Sequence, residues 1–171
     1  MNRIVLVTGG SRSGKSHHAL ELAAHYQTKA FIATAEPLDD EMRARIERHR
    51  RERDPSYLTV EEPVDLATAL ETLPKETDVA VLDCITVWLG NLIHRNRING
   101  WTCSEIEAFL ALLDKPPCHL IMVTNELGMG IIPADPATRD FRDLAGSLNQ
   151  QLGQRAHEVI ITVCGIPVKI K

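Results

Sequence analysis

The stretch from residue 3 to residue 26 limits the possible folds of this chain more than any other. "RIVLV" (3–7) is an apolar, largely β-branched run that leads into "GGSRSGKS" (9–16), and "KSHHALELAAHY" (15–26) follows with Ala19, Leu22, Ala23 and Tyr26 at helical spacing. The middle segment matches G-x-x-x-x-G-K-[ST] through Gly9, Gly14, Lys15 and Ser16. Glycines let backbone N–H groups turn inward around phosphates, and a helix starting at the loop adds its positive end. The whole loop, Gly9, Gly10, Ser11, Arg12, Ser13, Gly14, Lys15 and Ser16, is therefore expected to bind a nucleotide. Lys15 should reach the outer phosphates, and the Ser16 hydroxyl should ligate Mg²⁺.

The remaining chain repeats the strand-then-helix theme. "KAFIATA" (29–35), "VAVLD" (79–83), "HLIMVTNE" (119–126) and "EVIITVCG" (158–165) read as strands, and "YLTVEEP" (57–63) as a short extended piece. Helical patterns cover 39–53, 64–73 and 138–156, with two more inside 86–113 broken near Asn99-Gly100. "GMGIIPADPA" (128–137) is a Gly/Pro-rich loop, and "IPVKIK" (166–171) is expected to pair antiparallel after Gly165. The expected fold class is α/β: a single P-loop NTPase-like domain spanning 1–171, a mostly parallel central sheet flanked by helices, and a C-terminal antiparallel strand.

Composition narrows the partners. A formal charge of −4 argues against a dedicated nucleic-acid binder, so acidic ligands need a local basic site such as 43–53. The 44% apolar content belongs to an ordinary globular chain, with no run near the roughly 20 residues of a membrane span. Cys84, Cys103, Cys118 and Cys164 lack metal-binding spacing, and the N-terminus lacks a charged leader, so a cytoplasmic protein is expected.

Two positions invite chemical roles. Asp83 ends "VAVLD", where a P-loop protein commonly places its second magnesium ligand; capping the next helix is the plainer role. "TNEL" (124–127) lacks the lysine and aspartate of a guanine-reading N-K-x-D. In "RIERHRRERD" (45–54) one histidine, His49, stands among five arginines, whose charge disfavours its protonation. On a helix Met42, Ile46, His49 and Arg53 share one face, so His49 either packs as a boundary residue or faces the nucleotide as a base or nucleophile.

Five segments together carry a resemblance over nearly the whole chain: "GGSRSGKS", "FIATAEPLDDEMRARIERHR", "VLDCITVWLGNLI", the stretch from "VTNELGMGIIP" to "QRAHEV", and "GIPVKIK". The chain resembles the bifunctional adenosylcobinamide kinase/adenosylcobinamide-phosphate guanylyltransferase family of cobalamin biosynthesis. That resemblance implies phosphorylation of adenosylcobinamide with ATP or GTP. It also implies GMP transfer from GTP to adenosylcobinamide phosphate, through a guanylyl-histidine at the position of His49. It further implies nucleotide contacts at Thr34, Ala35, Glu36, Glu61 (with Glu62 competing) and Asp83, charge balance from Arg50, Arg51 and Arg53, and a homotrimer. Tyr57 stands where the family is expected to have tryptophan.

Overall fold

The computed structural model describes residues 2–37, 39–52, 54–98 and 103–171, with the backbone alone for Arg45, Arg48, His49 and Glu52. The described strands are β1 (Ile4–Gly9), β2 (Lys29–Ala33), β3 (Tyr57–Glu61), β4 (Val79–Asp83), β5 (His119–Val123), β6 (Glu158–Val163) and β7 (Ile166–Lys169). They form one sheet in the order β3-β2-β4-β5-β1-β6-β7. Every pair is parallel except β6–β7. The helices are α1 (Lys15–Ala23), α2 (Asp40–Glu52), α3 (Leu66–Glu71), α4 (Ile85–His94), α5 (Ser104–Leu112) and α6 (Pro136–Arg155).

Near-continuous apolar strands such as "VAVLD" follow from burial on both faces, which a parallel sheet requires. Alternate side chains go to opposite sides. Leu6, Ile32, Leu82 and Met122 join a core with α3 to α6 around Trp88 and Phe109. Val7, Phe31, Val81 and Val123 pack instead with Ala19 and Ala23 of α1. Helix α1 is rich in small residues because it lies flat on the strands.

Element types agree with the sequence reading, and the differences lie at ends. Helix α6 starts two residues earlier than its pattern, inside the expected loop. Asp135 caps it by accepting from Thr138 N at 2.8 Å, and Pro136 occupies the first turn, where its missing N–H costs nothing. Strand β5 ends at Val123; beyond it the Thr124 amide still donates to Val7 O at 3.0 Å, while the Thr124 hydroxyl and the Asn125 amide turn to Asn149 and Thr86. The extended piece at 57–61 is a full edge strand beside β2. The expected break at Asn99-Gly100 lies outside the described residues.

The β6–β7 hairpin turns through Cys164 and Gly165, at φ 52° and 79°. Two consecutive positive values are what a tight turn between twisted strands demands. This turn matters beyond the hairpin, because it sits against the phosphate loop.

Candidate nucleotide site

The loop between β1 and α1 is held in a concave shape by its glycines and by β6. Gly9 has φ 145°, and a Cβ there would stand 2.5 Å from the Thr162 carbonyl oxygen, so no other residue fits. Gly14, at φ 98°, precedes Lys15 and would bring a Cβ to 3.3 Å from Gly165. Ser13 shares a hydroxyl hydrogen bond of 2.8 Å with Thr162, and Gly165 N donates to Ser13 O at 3.0 Å. Lys15 is buried, and its ammonium reaches across the loop to the Gly10 carbonyl at 2.6 Å. Gly10, Ser11 and Arg12 face solvent, with Arg12 at φ 56°. The result is an anion cradle made of backbone, one buried cation and the start of a helix.

Ser16 and Asp83 are both half-buried, at the start of α1 and the end of β4. Among the described residues, no cation pairs with the Asp83 carboxylate. The helix cap that Asp83 could have supplied comes instead from Cys84, whose Sγ accepts from Val87 N at 3.4 Å. Burial, with Asp83 beside it, pushes the Cys84 thiol up to about 11, so it stays a neutral thiol and no nucleophile.

The 34–36 segment splits by role. Thr34 has no exposed surface. Its hydroxyl donates to Cys84 O at 2.9 Å and accepts from Cys84 N at 2.8 Å. Its amide donates to Asp83 O, and its carbonyl accepts from Asn91 Nδ2. Every polar group of Thr34 is thus used in joining the end of β2 to the end of β4 and to α4. Ala35 and Glu36 are half-buried, and Glu36 is paired with Arg95 at 2.6 Å.

Helix α2 stands apart from this cradle. Met42 and Ile46 are half-buried while Glu41, Arg43, Ala44, Glu47, Arg50 and Arg51 are exposed, which is the face expected from the sequence. Arg50 is hydrogen-bonded and ion-paired with Glu61 at the end of β3, so two residues expected at the nucleotide are brought to each other. Arg51 pairs with Glu47 at 3.5 Å. Glu62 accepts from Val64 N and Asp65 N, which leaves Glu61 as the carboxylate facing α2. His49 lies within α2, but its side chain, like Arg53, lies outside the described residues. Four strand spacings separate β3 from β1, about 19 Å across the sheet. Tyr57 begins the edge strand β3, four strands from β1, under Lys29 at 5.4 Å, so it is no stacking surface for a nucleotide held at the phosphate loop.

Sequence reasoning missed several supports. Thr162 looks like part of an apolar strand, and its being polar within "VIITV" was the available signal. Asn91 donates to both Thr34 O and Pro63 O, tying the ends of β2 and β3 to α4. Thr86, Thr124 and Asn149 form a chain in which Thr124 donates to Asn149 Oδ1 at 2.8 Å, and Asn149 donates to Asn125 O at 3.0 Å. Asn125, the asparagine of "TNEL", is held by that chain. Among the described residues no His/Cys/Asp/Glu cluster could hold a metal by itself.

A glycine-lined loop joining a parallel strand to a helix, with an acidic strand end two strands away, defines a P-loop nucleotide-binding protein. The fold of the RadB recombinase is similar, with a TM-score of 0.51 at 18% identity over 93% of this chain and 73% of that one, a likeness of fold alone. The family of cobinamide kinase / cobinamide phosphate guanyltransferase matches residues 5–170, and the chain belongs to it. It is 40% identical to the bifunctional adenosylcobalamin biosynthesis protein CobU of Escherichia coli (strain K12), over 98% of this chain and 99% of that protein. It is 39% identical to the CobU protein of Salmonella typhimurium, with the same coverage, and 39% identical to CobP of Pseudomonas aeruginosa, over 97% of this chain and 96% of that protein.

Proposed function

We propose that the protein performs both reactions of its family: phosphorylation of adenosylcobinamide, then guanylyl transfer to the phosphate so formed. The observation that carries this reading is a finished phosphate cradle in a chain whose full length matches bifunctional relatives. In the first reaction the aminopropanol hydroxyl attacks the γ-phosphorus of ATP or GTP. Lys15 and the loop amides balance the charge spreading onto the phosphate oxygens. Ser16 and Asp83 offer hard oxygen donors of the kind Mg²⁺ prefers, and we assign them to it. Bound there, the ion would neutralise phosphate charge.

In the second reaction the His49 imidazole attacks the α-phosphorus of GTP and pyrophosphate leaves. The phosphate of adenosylcobinamide phosphate then attacks the guanylyl group, giving adenosylcobinamide-GDP and freeing His49. A neutral imidazole is the nucleophile, and Arg50, Arg51 and Arg53 supply positive charge for the departing pyrophosphate. The cradle and β3 stand about 19 Å apart by strand spacing, so α2 is the part that repositions between the reactions. Its tie to Glu61 is an exposed ion pair, of a kind worth at most about 1 kcal/mol. A homotrimer with sites near subunit boundaries and a cytoplasmic location belong to the same reading.

The test uses GTP labelled at the α-phosphate with Mg²⁺ and no corrinoid. Label should survive denaturation as an acid-labile, base-stable adduct and vanish in His49→Ala, while phosphorylation of adenosylcobinamide persists. Equal labelling of His49→Ala would remove the nucleophile role.

A further inference from the structure

On the sheet face away from α1, a groove of about 940 Å³ runs beside α6. Leu6, Thr8 and Val159 form its floor, and Gly146, Gln150 and Gly153 of α6 form its wall. Its upper end reaches Glu126, whose amide donates to Gly9 O at 3.0 Å, so the groove abuts the phosphate loop. We propose that this groove holds the corrinoid acceptor, a large monocation with apolar faces and a fringe of neutral amides, its hydroxyl arm crossing the strand ends to the loop. The proposal rests on the kinase and guanylyltransferase reading above and adds where the acceptor sits.

The Thr8 hydroxyl is the first reason. Thr8 is 8% exposed, lines the groove, and its Oγ1 has no hydrogen-bond partner among the described residues. Leaving a buried hydroxyl unpaired costs about 1–3 kcal/mol, a cost that a ligand amide would remove on rotation of the Thr8 side chain toward the groove. Charge is the second. Arg142, the cation on the lining, is paired with Asp143 at 3.1 Å, and Glu126 adds negative charge. Such a groove repels a triphosphate, whereas Ser147, Asn149 and Gln150 offer neutral hydrogen-bonding groups suited to amides.

Size and surface point the same way. The volume stands at the top of the range for small-molecule sites, and a purine would leave most of it empty. Ile170 extends the apolar floor, and Ile132, also on the lining, is 68% exposed. That much apolar surface beside a polar wall suits a flat macrocycle more than a sugar. Gly146 and Gly153, two turns apart on one face of α6, would each put a Cβ into open space. Glycine inside a helix costs about 0.5–1 kcal/mol relative to alanine, and here packing against the protein does not require it. Keeping the wall bare for a ligand accounts for both.

Gly146→Met fills the groove from the helix side, starting from a Cβ with no protein atom within 4 Å, and Thr8→Val removes the orphan hydroxyl. The adenosylcobinamide KM and directly measured Kd should rise about tenfold or more in Gly146→Met. Self-guanylylation by GTP without corrinoid, a step that does not use the groove, should stay within about twofold. Thr8→Val should weaken adenosylcobinamide severalfold without lowering the Tm. An unchanged corrinoid Kd in folded Gly146→Met overturns the proposal. So does a loss of GTP affinity instead, which assigns the groove to the base, or a changed oligomeric state, which makes it a contact between copies. Failure of the parent protein to bind adenosylcobinamide at all would refute the functional reading itself.

Discussion

The phosphate loop and helix α2 are two answers to holding a reactive group. The loop is tied on every side: Gly9 against the Thr162 carbonyl, Ser13 to the Thr162 hydroxyl and the Gly165 amide, and Lys15 folded across to Gly10. Helix α2 presents mostly charged, exposed residues and is attached near its C-terminal end through Arg50 to Glu61, both about half exposed. A preorganised cradle suits electrostatic stabilisation, because its donors need no reorganisation at the moment of reaction. A weakly tied helix suits a group that serves a different phosphorus atom from the one the kinase step uses. On the proposed reading, the difference teaches that the two activities draw on parts that are tied unequally to the sheet.

Removing the cation of the rigid part should have the largest effect. Lys15→Ala is expected to lower kcat/KM for both reactions by about 100- to 1000-fold, with His49 labelling reduced in parallel, as steady-state assays on each half-reaction would show. Loss of one activity alone would mean the two reactions do not share the cradle. Next comes the loop's shape. Gly9→Ala should destabilise the fold by about 2–4 kcal/mol in urea unfolding, since its Cβ would collide with backbone and φ 145° is strained for alanine. A loss below about 1 kcal/mol would show the loop to be looser than its contacts indicate.

Helix α2 should respond more gently. Glu61→Gln is expected to leave global stability within about 1 kcal/mol, because the pair it breaks is exposed. It should nevertheless change the rate of self-guanylylation by a few-fold while the kinase rate holds. An equal change in both rates would place Glu61 at the shared nucleotide instead of at the α2 tether.

Legibility followed the range of the interaction that sets each feature. The loop at 9–16, the β1 strand and the α1 helix are local patterns, and each is present where the sequence puts it, though β1 runs on to Gly9 and α1 ends at Ala23, before Tyr26. The apolar strand "VAVLD" coincides with β4, because burial on both faces leaves an unbroken hydrophobic run. Helix α6 was legible as a helix but not in its start, because a capping aspartate before proline resembles a loop when read without coordinates.

What could not be read is which distant residues support the site. Thr162 and Gly165 hold a loop roughly 150 residues earlier in the chain, as their partner Ser13 shows. Thr34, expected at the nucleotide, spends every polar group on Cys84, Asp83 and Asn91. Glu61 and Glu62 were indistinguishable in sequence, and only the pairing of β3 with β2 sent one toward α2 and the other to the amides before α3.

The sequence by itself determined the chemistry available: a phosphate-binding loop with its lysine and serine, an acid at a strand end, and a histidine among arginines. Local backbone conformation and side-chain type suffice for those. Tertiary structure alone decided the strand order, which puts β5 between the loop strand and Asp83 and sets α2 at the far side of the sheet. It also made the groove beside α6, because parallel pairing gathers residues 6, 8, 126, 146 and 159 at one place. Such contacts are fixed by packing between elements, and no periodicity within one element records them.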